Sequence, residues 1–343
     1  MNVAIVNDSK MAVEILRRIV AQLPEFTLAW TAYSGEEAIE LCAQSPPDII
    51  LMDLVMPGID GAETTRRIMK STPCVILVVT ATTIGNRDMV FDAMGYGALD
   101  AVNTPVLGPG QDLSGAEPLI QKLRIVSRLA GSLSRAGADP RRVPARSRDT
   151  SDIAVVAIGA STGGPQALAE ILSHFPAGFP AAVIVVQHVD RQFTSSLAGW
   201  LQHVSKVPVS IAEPDARLSP GTIWIAGREE NLTFDNGFAR YTPAPEDSIH
   251  KPSIDTLFYS LAKPHRAPRV GVLLTGMGRD GAAGLLALRT SGALTIAQDA
   301  ATSVVYGMPK AAADLGAASE ILPLSSIAPR ICEVVLHRVP SHI

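Results

Sequence analysis

The feature that most constrains this chain is a pair of glycine-rich turns in its C-terminal half, each between a strand-like run and a helix-like run. One turn spans residues 159–164 and contains Ser161, and the other spans residues 276–281 and contains Asp280. His188 follows another apolar run between them. Because the residues that follow parallel strands gather at one edge of a sheet, we expect these three side chains at one site. Serine, histidine and aspartate together are typical of a serine hydrolase.

Apart from one interval, the chain alternates short apolar runs with amphipathic runs of helical spacing. Five strand–helix pairs occur in the first 125 residues, and the alternation resumes after residue 150. The interval between is rich in Gly, Ser, Pro and Arg and has no apolar period. We therefore predict an α/β chain with two doubly wound parallel-sheet domains, residues 1–125 and 151–343, joined by a flexible linker at residues 126–150.

Composition excludes several classes of protein. The formal net charge of −4 leaves no basic surplus for a phosphate backbone, so we expect no nucleic-acid partner. No apolar run is long enough to span a bilayer and the N-terminus lacks the pattern of a signal peptide, so we expect no direct membrane insertion. The three cysteines are widely spaced and odd in number, which favours a reducing compartment. These observations predict a cytoplasmic protein.

Two carboxylates follow strands of the predicted N-terminal sheet. Asp8 comes directly after the first strand and Asp53 directly after the third. Oxygen ligands of this kind suit Mg²⁺, and an aspartate beside that cation can accept a phosphoryl group. Thr80 ends the fourth strand at the same edge, where we expect its hydroxyl to contact a phosphoryl oxygen. The sequence thus predicts an acidic pocket that can be phosphorylated.

The turn at residues 159–163 matches the G-x-S-x-G pattern of a nucleophile elbow. Ser161 would stand near a helix N-terminus, where backbone N–H groups favour a developing oxyanion. We expect His188 to act as its base and Asp280 to accept the Nδ1–H of that histidine. The chain order Ser, His, Asp is not that of α/β-hydrolases, so an ordinary lipase fold is not indicated. His250, in a loop rich in proline, is a candidate substrate contact.

Two other functions remain open on these residues. The run 276–281 matches a dinucleotide-binding fingerprint, with Asp299 at the distance where a ribose-binding acid is expected. Against a dinucleotide, the motif comes late in its domain, and Asp280 would place a carboxylate beside a pyrophosphate. The other alternative is a non-catalytic signalling scaffold with an inactive acidic pocket, in which Ser161 serves only as a helix N-cap.

The run DLVMPGIDG at residues 53–61 resembles the phosphoacceptor loop of response-regulator receiver domains, and the polar residues after the first and fourth strands fit the same pattern. The resemblance covers about residues 1–125 and implies a flavodoxin-like fold. It also implies that Asp53 is the phosphoacceptor. The Mg²⁺ ligands would be Asp8, Asp53 and the carbonyl of Val55.

Three positions depart from the receiver pattern. Asn7 stands where the family has the first of two acidic residues, Thr104 where it has a lysine, and Ala101 where an aromatic residue is common. The missing charge at Asn7 should weaken Mg²⁺ binding. Thr104 lacks the ammonium group that would contact the phosphoryl group. We therefore expect phosphorylation at Asp53 but an altered response to it.

Three C-terminal segments look like the signature segments of the CheB protein-glutamate methylesterase family: residues 158–164 (IGASTGG), 186–188 (VQH) and 274–284 (LTGMGRDGAAG). Residues 297–309 also resemble that family. The resemblance covers residues 151–343 and implies a Rossmann-like methylesterase domain. The order of receiver, linker and esterase is the family's own.

This resemblance implies that Ser161 is the nucleophile, His188 the general base and Asp280 its orienting partner. Backbone N–H groups near Thr162 and Met277 would stabilise the oxyanion. The implied reaction is hydrolysis of glutamate methyl esters on methyl-accepting chemoreceptors, which releases methanol, with deamidation of glutamine as a further activity. No cofactor is implied for this hydrolysis.

The family resemblance also implies how the enzyme is regulated. A receptor-coupled histidine kinase would donate the phosphoryl group, and the unmodified receiver would cover the active-site face until Asp53 is phosphorylated. Asn7 and the variant run 103–105 (NTP) look like the subgroup that serves surface-sensing, Wsp-type pathways.

Overall fold

The computed structural model describes residues 1–80, 87–105, 114–130, 153–244, 251–263 and 267–336. Two compact units divide the chain, Met1–Arg135 and Ala136–Ile343. The predicted pair of parallel-sheet α/β domains is confirmed. In the described residues, none of the helices has both the length and the apolar character that crossing a membrane requires.

The first unit alternates strands and helices along its whole length: β1 (Asn2–Val6), α1 (Lys10–Ala21), β2 (Thr27–Ala32), α2 (Gly35–Gln44), β3 (Ile49–Met52), α3 (Gly61–Ser71), β4 (Val75–Thr80), α4 (Arg87–Gly95), β5 (Asp100–Asn103) and α5 (Glu117–Ala130). All neighbouring strands are parallel, in the order β2-β1-β3-β4-β5. This is the flavodoxin-like order, in which ligands bind beyond the carboxyl ends of the central strands.

Local sequence explains these elements. The central strands β1 and β3 are almost continuous apolar runs because helices cover both faces of the sheet. Three helices begin at a side chain that accepts a backbone N–H of the first turn, namely Ser9 for α1, Ser34 for α2 and Asp60 for α3. The caps also fix where the chain leaves the sheet edge, which positions the residues after each strand.

Helix α5 extends beyond the predicted end of the first domain. Residues 126–130, assigned above to the linker, are helical. Val126 is 3% exposed and packs into the core of the first unit, so the apolar period of the helix continues past residue 125. The rest of the predicted linker, residues 131–150, lies outside the described residues.

The second unit contains nine strands and six α-helices among its described residues: β6 (Ala154–Ala160), α6 (Gly164–Ser173), β7 (Ala181–Gln187), α7 (Thr194–Val204), β8 (Val209–Ala212), β9 (Thr222–Ala226), β10 (Asn231–Asp235), β11 (Phe238–Thr242), α8 (Ile254–Leu261), β12 (Arg269–Leu273), α9 (Ala282–Thr290), β13 (Leu294–Gln298), α10 (Met308–Asp314), β14 (Glu320–Leu322) and α11 (Leu324–Leu336). Seven strands form a parallel sheet in the order β14-β13-β12-β6-β7-β9-β8. Strands β10 and β11 form a separate antiparallel hairpin.

The hairpin and helix α8 were not predicted from the sequence, and α8 contributes directly to the site. Its core face is held by packing against α9 and the sheet through Ile254, Leu257 and Phe258. Arg269, only 9% exposed, donates hydrogen bonds to three backbone carbonyls at the C-terminal ends of α8 and α9. A buried guanidinium with three such acceptors ties α8 to the central strand β12.

Candidate active site

Strand register places Ser161 beside His188. Strands β6 and β7 pair in register through Ala160 and Gln187, and the N–H of His188 donates to the carbonyl of Ala160 at 2.9 Å. Ser161 and His188 are the residues that directly follow this last pair, so their backbones lie side by side at the carboxyl edge of the sheet. Parallel neighbours of this kind are about 4.8 Å apart between backbones.

Asp280 reaches the same edge from the other side of β6. It follows β12, which pairs with β6, and its Oδ2 lies 3.0 Å from Nε2 of His188. Asp280 is buried and His188 is partly buried, with 8% of the aspartate side chain and 11% of the histidine side chain exposed. The structure therefore brings the predicted base and its predicted carboxylate partner into direct contact.

The ring nitrogen in this contact differs from the prediction. We expected Asp280 to accept from Nδ1 of His188, but the carboxylate contacts Nε2. The reason is geometric. Asp280 lies in the turn after β12, a strand two places from β7 in the sheet, so the ring atom farthest from the histidine backbone reaches it. Nδ1 is then the nitrogen left for the proton of Ser161, whose strand is the immediate neighbour.

Asp280 lies among backbone donors at the N-terminus of α8. Its carboxylate accepts from the hydroxyl of Ser253 and from the N–H groups of Ile254, Asp255 and Gly281, at 2.7–3.0 Å. Burial alone would raise the pKa of Asp280. The hydrogen bond and charge of His188, with the N–H groups of α8, outweigh burial and lower that pKa to about 2. The carboxylate therefore stays ionised and can hold the tautomer of the histidine.

The nucleophile turn is held closely against the neighbouring strand. The N–H of Ser161 donates to the carbonyl of Thr275 at 3.0 Å, and Gly163 adopts a φ of +74°, which glycine tolerates. A Cβ on Gly276 would lie 2.6 Å from Cβ of Ser161, so only glycine fits there. Within the described residues no hydrogen bond joins the Ser161 hydroxyl to His188, and such bonds often form only when substrate is bound.

The two predicted oxyanion donors lie on the turns that follow β6 and β12. Among the residues described, neither the N–H of Thr162 nor that of Met277 has a hydrogen-bond acceptor. Thr162 is 7% exposed, so its N–H is held at a desolvated position. Unpaired N–H groups of this kind are suited to an anionic oxygen that forms during reaction.

The dinucleotide alternative does not fit this geometry. Asp280 lies in the glycine-rich turn, and its carboxylate accepts the N–H of Gly281 at the start of α9, the helix whose N-terminus a pyrophosphate would need. The carboxylate of Asp299 accepts from the N–H and hydroxyl of Thr302, so it closes a local turn. His250, the candidate substrate contact, lies outside the described residues.

The acidic pocket lies at the carboxyl edge of the first unit. A cleft of about 270 Å³ is lined by Asn7, Ser9, Met11, Ala12, Ile15, Asp53 and Thr104. Burial raises the pKa of Asp53, the N–H groups of Leu54 and Val55 oppose that rise, and the charge of Asp8 adds to it. The negative charge of Asp8, which lies outside the lining of the cleft, is therefore close enough to repel that of Asp53. A cation between them would remove that repulsion.

Two further residues bear on phosphoryl binding. The Thr80 hydroxyl is buried near Asp53 and lowers the pKa of that carboxyl group. Among the described residues, this hydroxyl has no partner at hydrogen-bond distance. Asn7 is 3% exposed and its Oδ1 accepts the N–H of Ser9 at 2.8 Å. A phosphoryl oxygen would give the Thr80 hydroxyl a hydrogen-bond acceptor, whereas the side chain of Asn7 already accepts a hydrogen bond from Ser9 just before α1.

The oxygen donors at this edge fit Mg²⁺. Across the described residues no group of three or more His, Cys, Asp or Glu side chains is arranged to hold a metal ion. Mg²⁺ commonly uses one or two carboxylates and keeps several waters, so the predicted ligands Asp8, Asp53 and the carbonyl of Val55 are chemically suited to it and stay a prediction.

Sequence reasoning missed two residues of the hydrolase site, Ser253 and Gln187. Ser253 caps α8 by accepting the N–H of Thr256, and its hydroxyl also donates to Asp280. A serine before an apolar run is the usual signal of such a cap, and it would have located α8. Gln187 has a buried amide at the end of β7. The sequence signal for its role is a single polar residue that ends an otherwise apolar strand.

Comparison with known proteins matches each unit to a family. Residues 156–331 match the family model described as CheB methylesterase, and residues 3–109 match that of the response regulator receiver domain. The chain is 50% identical over 337 residues to "Protein-glutamate methylesterase/protein-glutamine glutaminase 1" of Bordetella avium, covering 97% of each chain. It is 51% identical over 338 residues to the protein of the same name from Cupriavidus pinatubonensis, again covering 97% of each chain.

A solved structure is similar to the second unit. The crystal structure of the Thermotoga maritima CheB methylesterase catalytic domain is 35% identical, with a TM-score of 0.51, and the match covers 54% of this chain and 100% of that one. Both family models lie in the order that the sequence predicts. The chain therefore belongs to the CheB methylesterase family, with a response regulator receiver domain preceding the methylesterase domain.

Proposed function

We propose that this protein hydrolyses glutamate methyl esters on methyl-accepting chemoreceptors to glutamate and methanol, and that it deamidates glutamine side chains at the same site. The relatives named above carry both activities in their names and share about half of their residues with this chain. The observation that carries the proposal is the 3.0 Å contact between Asp280 and His188, beside Ser161 at one edge of the sheet.

In the first half of the reaction, Ser161 Oγ attacks the ester carbonyl carbon while Nδ1 of His188 takes the hydroxyl proton. Asp280 stabilises the imidazolium through Nε2–H. The N–H groups of Thr162 and Met277 hold the oxyanion. Collapse of this intermediate breaks the bond to the methoxy oxygen, and His188 returns its proton to that oxygen so that methanol leaves.

Water completes the cycle through the same base. His188 removes a proton from water, which attacks the acyl-serine, and that proton then passes to Ser161 Oγ as the bond to the serine breaks; the new carboxyl group of glutamate releases its proton to solvent. With a glutamine side chain, ammonia leaves in place of methanol. Ammonia requires fuller protonation to depart, so we expect deamidation to depend more on the acid form of His188.

Phosphorylation of Asp53 is the proposed control of this activity. A receptor-coupled histidine kinase would be the phosphodonor, which implies action in the cytoplasm. Asp8, Asp53 and the carbonyl of Val55 would hold Mg²⁺, which offsets the negative charge of phosphoryl oxygens when bound. The buried hydroxyl of Thr80 would donate to the phosphoryl group.

Methanol release from methylated receptor membranes tests the hydrolase. Ser161→Ala should lower the rate at least about 10³-fold with the fold intact, because the nucleophile is lost. Ser210→Ala, on the edge strand β8, is the matched control and should keep full activity. Methanol release by Ser161→Ala at the rate of the unaltered protein would reject the proposal. Failure of a serine-directed phosphonate to label Ser161 would instead favour the scaffold.

A small phosphodonor such as acetyl phosphate tests the control. Asp53→Asn should remove the stimulation of methanol release while leaving the unstimulated rate unchanged. Asp92→Asn, at an exposed position of α4, should respond like the unaltered protein. Equal stimulation of Asp53→Asn and the unaltered protein would exclude Asp53 as the phosphoacceptor.

A further inference from the structure

The peptide that carries the Thr162 N–H is fixed through its carbonyl. The carbonyl oxygen of Ser161 accepts from Nε2 of Gln187 at 2.8 Å and from the N–H of Gly164 at 2.7 Å. In a planar trans peptide the C=O and N–H point in opposite directions. Holding the Ser161 carbonyl on the protein side therefore turns the Thr162 N–H towards the open side, where it has no acceptor among the described residues.

The second donor peptide is fixed in the same way but by different groups. The carbonyl of Gly276 accepts from the N–H of Met308 at 2.8 Å and from that of Gly307 at 3.2 Å. These bonds turn the Met277 N–H away from the protein interior. The Met277 donor thus relies on backbone groups alone, whereas the Thr162 donor relies on the N–H of Gly164 and on one side chain, Gln187.

Gln187 is confined to this role by its surroundings. It is 5% exposed, and its Nε2 also donates to the carbonyl of His188 at 3.1 Å. A Cβ on Gly164 would lie 2.0 Å from Oε1 of Gln187, so the amide fills the space that this glycine leaves. Its Oε1 has no hydrogen-bond partner among the described residues. A buried amide oxygen without a partner is costly, which indicates that the two donated bonds are what the amide supplies.

We propose that Gln187 is a positioning residue for the oxyanion site. One amide nitrogen orients the Thr162 N–H towards the developing oxyanion and anchors the backbone of His188 beside it. This inference rests on the proposed ester hydrolysis at Ser161. Since an oxyanion forms only as the reaction proceeds, the contribution of Gln187 falls on the chemical step rather than on substrate binding.

Gln187→Met and Gln187→Glu in the full chain separate this role from packing. Methionine keeps the volume and removes both donors, so we expect kcat to fall roughly 10- to 100-fold with KM within about twofold. A glutamate donates only when protonated, so the rate of Gln187→Glu relative to Gln187→Met should rise as the pH is lowered. A side chain that only fills space would not produce that pH dependence.

The matched control is Gln202→Met. Gln202 also bonds backbone groups through its amide, at Ser205 and Val209, but it lies on α7 away from the turns. Its kcat should stay within about twofold of the unaltered protein. Thermal unfolding of each variant identifies the temperature range in which all are folded, and the kinetics are compared there.

Two substrates keep the outcomes distinct. Absence of methanol release by the unaltered protein on methylated receptor membranes would reject the proposed function, not the role of Gln187. Hydrolysis of an activated nitrophenyl ester at Ser161 then tests that role alone. Unchanged kcat in Gln187→Met, a change confined to KM, or a ratio of Gln187→Glu to Gln187→Met that is flat with pH would overturn the inference.

Discussion

Asp280→Asn is the substitution that most directly tests the geometry of the site. Asparagine keeps the shape of the side chain and removes the negative charge of the carboxylate, which accepts hydrogen bonds from His188 and from N–H groups at the N-terminus of α8. The pKa of Asp280 falls from 3.8 to about 2 on folding, because the hydrogen bonds from His188 and α8 outweigh the effect of burial. At about 1.4 kcal/mol per pKa unit, ionised Asp280 stabilises the second unit by on the order of 2 kcal/mol.

The sign of the pH dependence follows from the lowered pKa. A carboxyl group with a depressed folded-state pKa stabilises the protein above its unfolded value of 3.8, and this stability is lost as the pH falls towards about 2. For a unit of this size, a loss on the order of 2 kcal/mol lowers the melting temperature by roughly 4–8 °C. We therefore expect Asp280→Asn to melt that much lower at pH 7 and the difference to shrink at pH 3.

Tryptophan fluorescence can follow the second unit alone. The chain has three tryptophans, and a Trp30→Phe background leaves the two at Trp200 and Trp224 in the second unit. Asp314→Asn is the control, because the ion pair of Asp314 with Lys310 is exposed and contributes little. A melting difference between Asp280→Asn and the parent that is equal at pH 7 and pH 3 would refute the reasoning.

Activity gives an independent measure of the same substitution. Without the carboxylate, the His188 tautomer that presents a basic Nδ1 to Ser161 is no longer favoured, and the imidazolium is not stabilised. We expect kcat for methanol release to fall by about 10⁴-fold, which is the scale seen when the orienting acid of a triad becomes an amide. A fall of less than tenfold would show that Asp280 does not orient the base.

Three further substitutions test other parts of the structure. Arg269→Met should destabilise the second unit by about 3 kcal/mol, measured by the same fluorescence, because three carbonyls at the ends of α8 and α9 lose a charged donor. Asn7→Asp should tighten Mg²⁺ binding about tenfold by titration calorimetry, since it adds a negative ligand beside Asp53. Gly61→Ala should destabilise the first unit by about 2 kcal/mol in chemical unfolding, because its Cβ would lie 1.9 Å from the carbonyl oxygen of Asp53.

The sequence was sufficient for the parts of the fold that repeat a simple pattern. Buried parallel strands such as β1 and β6 are continuous apolar runs, and the residues that follow them gather at one edge by the rule for doubly wound sheets. Together with the Ser, His and Asp combination of a serine hydrolase, that rule predicts the pairing of Asp280 with His188. The hairpin β10–β11 and α8 lie outside the strand–helix repeat and were not predicted, although the turn Asn236-Gly237 and the helical spacing of Ile254, Leu257, Phe258 and Leu261 are signals for them.

The finer geometry could not be predicted because it depends on three-dimensional reach. The positions of Asp280 and His188 after strands indicate that the two side chains meet. The order of strands in the sheet, with β6 between β12 and β7, explains why Nε2 of His188 makes the contact. The role of Ser253 required knowing that α8 directs its N-terminus at Asp280. The first domain was predicted to end at residue 125, but α5 continues beyond that residue, and its apolar face still packs into the core at Val126.

The departures from family patterns in this chain are concentrated in the first unit. At the hydrolase edge, His188 and Asp280 are in contact and both candidate oxyanion peptides are held through their carbonyls. In the acidic cleft, Thr104 is neutral and Asn7 supplies no charge, so within the cleft lining the only formal charge is that of Asp53. A phosphoryl group there would depend on Mg²⁺ and on hydroxyl and N–H donors for its stabilisation. We therefore expect variation among relatives at these two positions to alter how strongly phosphorylation controls the enzyme, while the chemistry of ester hydrolysis stays the same.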